Sequence, residues 1–332
     1  MLIQHNEKEF NTIHYDETLT DDECEVIRQN IFSKPDYILV QKQLKGIRST
    51  NKINFIIEYF LRSIMNDSKN KNMKWTVNEF LQSNDLIRFL SGKVKNNPSF
   101  YSSKNNYDNL KAVFRLSPSG TAQTIPNFPF QKAKEIISKY NVNNNYYDYS
   151  CGWGVRLLAS LGNDVNYFGT DPNINLCEGL NNIYSEFNNV FSNSLVEQPT
   201  AKIYNQGSEI FIPELEDKIG LAFSSPPYFD LELYSLNDVN GQSTNNRNYE
   251  MWLTEYWEKT VKNIKLYLIK DGYFLLNVKN SKEYMLMDDM SDIIVENGFE
   301  FIRFEQLKGK DRPFLKLHDK TTDEMIAVFK KI

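Results

Sequence analysis

The sequence predicts an α/β protein, with a doubly wound, mostly parallel sheet over residues 111–332 and a mostly helical N-terminal domain over residues 1–110. Three observations lead there. Apolar strand-like runs alternate with amphipathic helical stretches from residue 130 onward, the pattern of a parallel sheet built from crossover units. Acids and glycines stand at the ends of those runs, where open parallel sheets hold ligands. Finally, Leu221-Ala-Phe-Ser-Ser-Pro-Pro-Tyr-Phe-Asp230 is an apolar run halted by two prolines. Each proline lacks the N–H a ladder needs, so the buried strand must turn out at Ser225.

The N-terminal region begins with Thr20-Asp-Asp-Glu23, a capping box that opens a helix, because a hydroxyl at the cap and a carboxylate three residues on satisfy free N–H groups. Asn54 to Met65 is apolar over much of its circumference and reads as a buried helix. Thr76-Val-Asn-Glu79 caps another helix, and Asp85 to Lys93 a further one. Such helices fit either a nucleic-acid reading module or a cap on the second domain. Lys69–Lys74 and Gly92 to Tyr107 are polar and irregular, which sets the soft boundary between the domains.

Phe130 to Lys139 follows as a helix with lysine in its last turn. Next, Asn145-Tyr-Tyr-Asp148 is a short strand, followed by Tyr149-Ser-Cys-Gly152-Trp-Gly154 and a helix from Val155. Gly152 and Gly154 serve a turn where a β-carbon would block a ligand or force a positive φ. A second strand ends in Tyr167-Phe-Gly-Thr-Asp171-Pro172. An acid about 20 residues beyond a glycine turn, at the tip of the next strand, is placed to accept both ribose hydroxyls of a nucleoside. Ala201 to Glu209 reads as a third strand with its exit loop, Leu221–Phe229 as a fourth, Tyr249 to Leu268 as an aromatic amphipathic helix and Gly272–Val278 as a fifth strand. Lys282 to Glu296 is helical, and two closing strands, Phe299–Phe304 and Met325–Phe329, flank the basic loop Lys308–Lys316. That loop is a candidate nucleic-acid contact. Asp230 to Tyr249 is long and polar, the kind of segment that forms a lid.

Ser225-Pro226-Pro227-Tyr228 puts two oxygens and an aromatic face on a rigid shelf suited to a flat ring with an amino group. It resembles the (Asp/Asn/Ser)-Pro-Pro-(Tyr/Phe/Trp) motif of the S-adenosylmethionine-dependent methyltransferases that modify exocyclic amino nitrogens of nucleobases. Asp148 to Gly154 is similar to the glycine motif of the same family, although Tyr149 and Ser150 stand where that family has Pro and Phe; Trp153 is the substitute apolar contact. The resemblance covers roughly residues 112–331 and implies a Rossmann-like methyltransferase sheet, S-adenosylmethionine as cofactor, no metal, and a nucleic-acid substrate, DNA first. It assigns Ser225, Pro226, Pro227 and Tyr228 to catalysis. It assigns Asp148, Tyr149, Ser150, Gly152, Trp153, Gly154, Asp171, Pro172, Ser208 and Thr121 to the cofactor, with Glu209 as alternative to Ser208. Serine at the head of the motif favours cytosine N4, with adenine N6 and an RNA base as alternatives. From another class, an inactive binding module on the same fold stays open. A nicotinamide-dependent dehydrogenase would need Gly-x-Gly-x-x-Gly, but position 157 is leucine.

Composition narrows the partners. The 332 residues, 41% hydrophobic and 14% aromatic, can bury a substantial core. A net charge of −5 excludes an extended nucleic-acid-coating surface, so any such contact is a local patch. No apolar run of membrane-spanning length and no signal-peptide layout occurs, which makes the cytoplasm the expected location. The three cysteines, Cys24, Cys151 and Cys177, form neither an even set nor a CxxC pair, so neither a disulfide framework nor a zinc site is expected. No Pro-Cys dipeptide exists, against a cysteine-nucleophile route to a ring carbon.

Overall fold

The computed structural model describes residues 19–31, 34–70, 74–85, 87–88, 127–229, 232–233, 248–280, 283–306 and 324–332. Thr121, most of the 230–248 segment and the 308–316 basic loop lie outside them. The chain forms two compact units: residues 1–35, 62–126 and 232–236, and residues 36–61, 127–231 and 237–332.

In the first unit, α1 (Asp21–Ile31) opens on the expected box: Glu23 N–H donates to Thr20 Oγ1 and Thr20 N–H to Glu23 Oε2. Arg28 donates to the Leu81 carbonyl and to Asn84, and Arg88 to the Leu19 carbonyl and Asp21, which closes this small unit with charge-assisted bonds. Two residues, Lys69–Asn70, pair antiparallel with Glu232–Leu233.

The second unit departs from a single boundary near residue 110. α2 (Tyr37–Lys45) and the first part of α3 (Asn54–Asn66) belong with the sheet. Val40 and Leu44 on α2 are fully buried, Gln41 donates to Glu186, Arg48 pairs with Asp164, and the Lys134 ammonium donates to the carbonyls of Ile47 and Arg48. A short apolar helix far upstream of its partners carries no local sign of where it docks. α4 (Val77–Leu81), in the first unit, has its capping box as expected.

Among the described residues the sheet has seven strands: β1 (Asn145–Asp148), β2 (Asn166–Thr170), β3 (Ala201–Tyr204), β4 (Ile219–Ser224), β5 (Leu268–Val278), β6 (Phe299–Gln306) and β7 (Met325–Lys331). Their spatial order is β3-β2-β1-β4-β5-β7-β6. β1 to β5 are mutually parallel, and β7 runs antiparallel between β5 and β6. This is the expected doubly wound α/β sheet, with the closing strands reversed so that β7 inserts beside β5. The strand order changes direction between β1 and β4, the switch point at which such sheets open a ligand crevice.

α5 (Phe130–Tyr140) lays Phe130, Ala133, Ile136, Ile137 and Tyr140 on one buried stripe at helical spacing. α6 (Val155–Leu161) is buried at every residue. α7 (Ile174–Val190) is capped by Asn173, whose side chain accepts from Leu176 N–H at 3.1 Å. α8 (Tyr249–Trp252) passes through a π-helical turn, Leu253–Glu258, into α9 (Lys259–Tyr267), and α10 (Leu286–Glu296) follows β5. Among the described residues, no helix is long and apolar enough to cross a membrane.

Leu44→Ala is expected to lower stability by about 2–5 kcal/mol through cavity formation, measured by urea unfolding of the whole chain with a probe packed on the sheet, such as fluorescence of Trp257, whose ring meets Phe274 of β5. Unchanged sheet stability would detach α2 from that core.

Candidate active site

β1 and β4 are parallel neighbours, with Tyr146 opposite Leu221 and Tyr147 opposite Ala222, so Asp148 and Ser225 emerge at the same edge of the sheet. The glycine turn follows β1 directly. Gly152 has φ +53° and Gly154 φ +70°, and a β-carbon on Gly154 would stand 2.7 Å from Leu180 Cδ2. Both glycines therefore meet the conformational demand the sequence placed on them.

Behind the turn lies a group that sequence reasoning missed. Arg156, in the first turn of α6 and 5% exposed, donates through Nε to Asp148 Oδ2 at 3.0 Å and through Nη2 to Ser224 Oγ at 3.0 Å. It also donates to the Ser150 carbonyl, which in turn accepts from Ser224 Oγ at 2.9 Å. Tyr167 completes the cluster by donating to Asp148 Oδ2 at 3.0 Å. One guanidinium thus ties the tip of β1, the turn after it and the tip of β4. Asp148 is wholly buried, and its carboxylate is engaged by Arg156 and Tyr167. Burial pushes its carboxyl up from the ordinary range, against the opposing pull of Arg156. The signal was an arginine in a helix's first turn, where it opposes the macrodipole unless a buried acid holds it.

Tyr149 also turns inward. Its hydroxyl donates to the Leu275 carbonyl at 2.8 Å and its ring packs on Trp257 and Phe274. The aromatic ring completes the core, which leaves only the backbone of this residue for the turn. Ser150 is half-buried and donates to the Tyr149 carbonyl; the Tyr256 hydroxyl lies 3.5 Å from it. Tyr256 belongs to the π-helical turn, a feature that often re-aims side chains at functional sites. Trp153 is buried within the glycine turn.

At the tip of β2, Asp171 is half-buried and accepts from Asn173 N–H at 3.0 Å. Burial pushes its carboxyl up to about 7, which the Asn173 and Gly152 backbone N–H groups only partly offset. Such an acid gains from ligand hydroxyls that solvate its charged form. Asn205 donates to the carbonyls of Asp171 and Pro172, which links this tip to that of β3. Gly169 allows the approach of Cys151, since a β-carbon there would meet its Sγ at 2.6 Å. Ser208 is buried with its hydroxyl on Thr260 and its carbonyl accepting from Asn263, whereas the adjacent Glu209 is half-buried.

The shelf itself is well defined. The β4–β5 register ends with Ser224 opposite Leu276, so the prolines begin where pairing stops. Ser225 Oγ donates to Asn277 Oδ1 at 2.7 Å, and the Tyr228 hydroxyl to Glu324 Oε1 at 3.0 Å. Pro226 is buried and Pro227 half-buried. Phe229 then takes φ +53°, a costly conformation for a bulky side chain, held by its packing against Tyr249, Trp252 and Tyr284. Among the described residues, no cluster of three or more His, Cys, Asp or Glu could hold a metal ion.

No family model matches the sequence, and no curated protein matches it. Solved structures similar to it include a TehB-like S-adenosylmethionine-dependent methyltransferase from Corynebacterium glutamicum (17% identity, 68% of this chain and 97% of that chain, TM-score 0.41). A second is an S-adenosylmethionine-dependent methyltransferase from Clostridium acetobutylicum (11% identity, 68% of this chain and 99% of that chain, TM-score 0.39). A third is the magnesium protoporphyrin IX methyltransferase of Synechocystis with bound S-adenosylmethionine (11% identity, 61% of this chain and 79% of that chain, TM-score 0.39). These values are too low to transfer an activity to this chain.

Replacing Arg156 by methionine leaves Asp148 as an uncompensated buried charge. Urea denaturation should register a loss of about 3–5 kcal/mol; a loss under about 1 kcal/mol would mean the pair behaves as a surface bridge.

Proposed function

We propose that this protein transfers a methyl group from S-adenosylmethionine to the exocyclic amino nitrogen of a DNA base, cytosine N4 in the first instance. The observation that carries the reading is the juxtaposition at the switch point: the glycine turn of β1 and the acid after β2 on one side, the Ser225-Pro-Pro-Tyr228 shelf of β4 on the other. A nucleoside-binding half and an amine-presenting half share one crevice edge.

The residues fit the cofactor. Asp171 is a carboxylate held in a poorly solvated place at the tip of β2, suited to two ribose hydroxyls, and Gly152 and Gly154 let the backbone approach the methionine end. Bound there, S-adenosylmethionine supplies an already electrophilic methyl group, so the chain's task is positioning. The Ser225 hydroxyl oxygen and the Pro226 carbonyl would accept the two amino N–H bonds and leave the nitrogen lone pair for the methyl group; the N–C bond would form as the S–CH3 bond breaks to release S-adenosylhomocysteine, and the surplus N–H proton would pass to solvent. Tyr228, its hydroxyl held by Glu324, offers its ring to the flat base. The base has to leave its stack to reach such a shelf. Serine at the head of the shelf is what favours cytosine over adenine.

Mass spectrometry of nucleosides from DNA and RNA incubated with the enzyme and S-adenosylmethionine tests the assignment. N4-methylcytosine in DNA is the expected product; absence of any N-methylated base would sink it. Ser225→Ala and Tyr228→Ala should each reduce methyl transfer by about 100-fold or more while calorimetric S-adenosylmethionine affinity is retained.

The pH dependence follows from Asp171. The ligand hydroxyls favour the carboxylate, so cofactor affinity is full above the free-state value of about 7 and declines as pH falls through it. Asp171→Asn should bind weakly and with a flat profile on either side of that value, measured by calorimetry; a wild-type profile in that variant would remove Asp171 from the site.

A further inference from the structure

Asn277 is the penultimate residue of β5, in a run that is otherwise apolar, Phe274-Leu-Leu-Asn277-Val278, and it is completely buried. A buried amide must place both its donor and its acceptor. Its Nδ2 donates to the Met325 carbonyl at 3.0 Å and its Oδ1 accepts from Ser225 Oγ at 2.7 Å. The first bond decides the orientation of the second. A backbone carbonyl can only accept, so the amide nitrogen has to face Met325, and the amide oxygen is thereby turned to Ser225. Asn277 lies opposite Ile326 in the β5–β7 ladder, and Val278 opposite Met325, so the carbonyl that fixes the amide is itself fixed by the sheet.

The consequence falls on the serine. Its single proton is committed to Asn277, which leaves the Ser225 oxygen with lone pairs alone to offer toward the crevice. A free hydroxyl would rotate and could donate or accept. Resting on the proposed reading of the shelf, we infer that Asn277 is a positioning and specificity-determining residue, which holds Ser225 as a pure acceptor and so selects a substrate that presents an N–H donor. An amino group satisfies such an oxygen. A ring nitrogen or carbonyl set against it, having only lone pairs, leaves two acceptors facing each other in a partly buried place. The reversed β7 acquires a role in this way: it supplies the carbonyl that orients the amide that orients the serine.

The test is a set of variants assayed by single-turnover transfer from radiolabelled S-adenosylmethionine to DNA, with cofactor affinity by calorimetry and melting temperature beside it. Asn277→Leu, which fills the space without polar atoms, should lower the transfer rate by about 10–100-fold with cofactor affinity unchanged. Asn277→Asp, as the neutral acid, keeps both a donor for the Met325 carbonyl and an acceptor for Ser225 and should recover at least about tenfold of that loss. In a Ser225→Ala background, Asn277→Leu should cost nothing further, since no hydroxyl remains to orient. Equal losses in the wild-type and Ser225→Ala backgrounds, or equal rates for the leucine and aspartate variants, would overturn the inference in favour of a purely structural asparagine. Should Ser225→Ala itself transfer at the wild-type rate, the reading of the shelf fails; should Ser225→Ala be impaired while Asn277→Leu is not, only the role of Asn277 fails.

Discussion

The Arg156 guanidinium holds together the two strand tips on which everything else at this edge is mounted. It reaches Asp148, the Ser150 carbonyl and Ser224 from inside the protein, and Ser224 closes the ring by donating to the same carbonyl. A charge pair so buried gains little net stability over well-packed apolar residues, because desolvating both ions offsets their attraction. Its effect is on geometry. Two parallel strands can diverge once their ladder ends, and a planar, multidentate donor placed where pairing stops prevents that. The glycine turn and the Pro-Pro turn, far apart in sequence, are tied to each other for this reason.

Further out, the site is built from reciprocal constraints. Polar groups beyond two strand tips are held from other strands or their ends: Asp171 and Pro172 by Asn205 just after β3, Ser225 by Asn277 on β5, and Tyr228 by Glu324 just before β7. Aromatic packing takes over beyond Tyr228, where Phe229, Tyr249, Trp252 and Tyr284 hold a strained backbone in place. A positive φ at a bulky residue costs about 1–3 kcal/mol, and the mutual packing of these four rings, two of them buried, is of a size to sustain it. The segment after β4 is thus held from two sides.

Asp148 and Tyr149, at the end of β1, both turn their side chains into the protein. Both stand where the related pattern places cofactor-facing residues, yet both point inward, one to Arg156 and the other to the Leu275 carbonyl. Tyrosine at 149 can do this because β5 exposes a carbonyl to it across the core, and its ring fills volume between Trp257 and Phe274. The turn keeps its backbone shape, which the two glycines secure, while its flanking side chains serve the interior.

The sequence by itself determined the elements whose cause is local. Two capping boxes, two glycines at positive φ, a proline pair that ends β4 and the helix from Phe130 all follow from chemistry within a few residues, and each stands where the reading put it. The alternation of strands and helices carried the fold class for the same reason. Tertiary structure alone decided the pairings: Asn277 with Ser225, Arg156 with Ser224, α2 with the sheet instead of with its sequence neighbours, and β7 reversed between β5 and β6. Those contacts join residues separated by dozens of positions, and which of several available polar or apolar partners is met depends on how the sheet closes, a property that no stretch of sequence holds on its own.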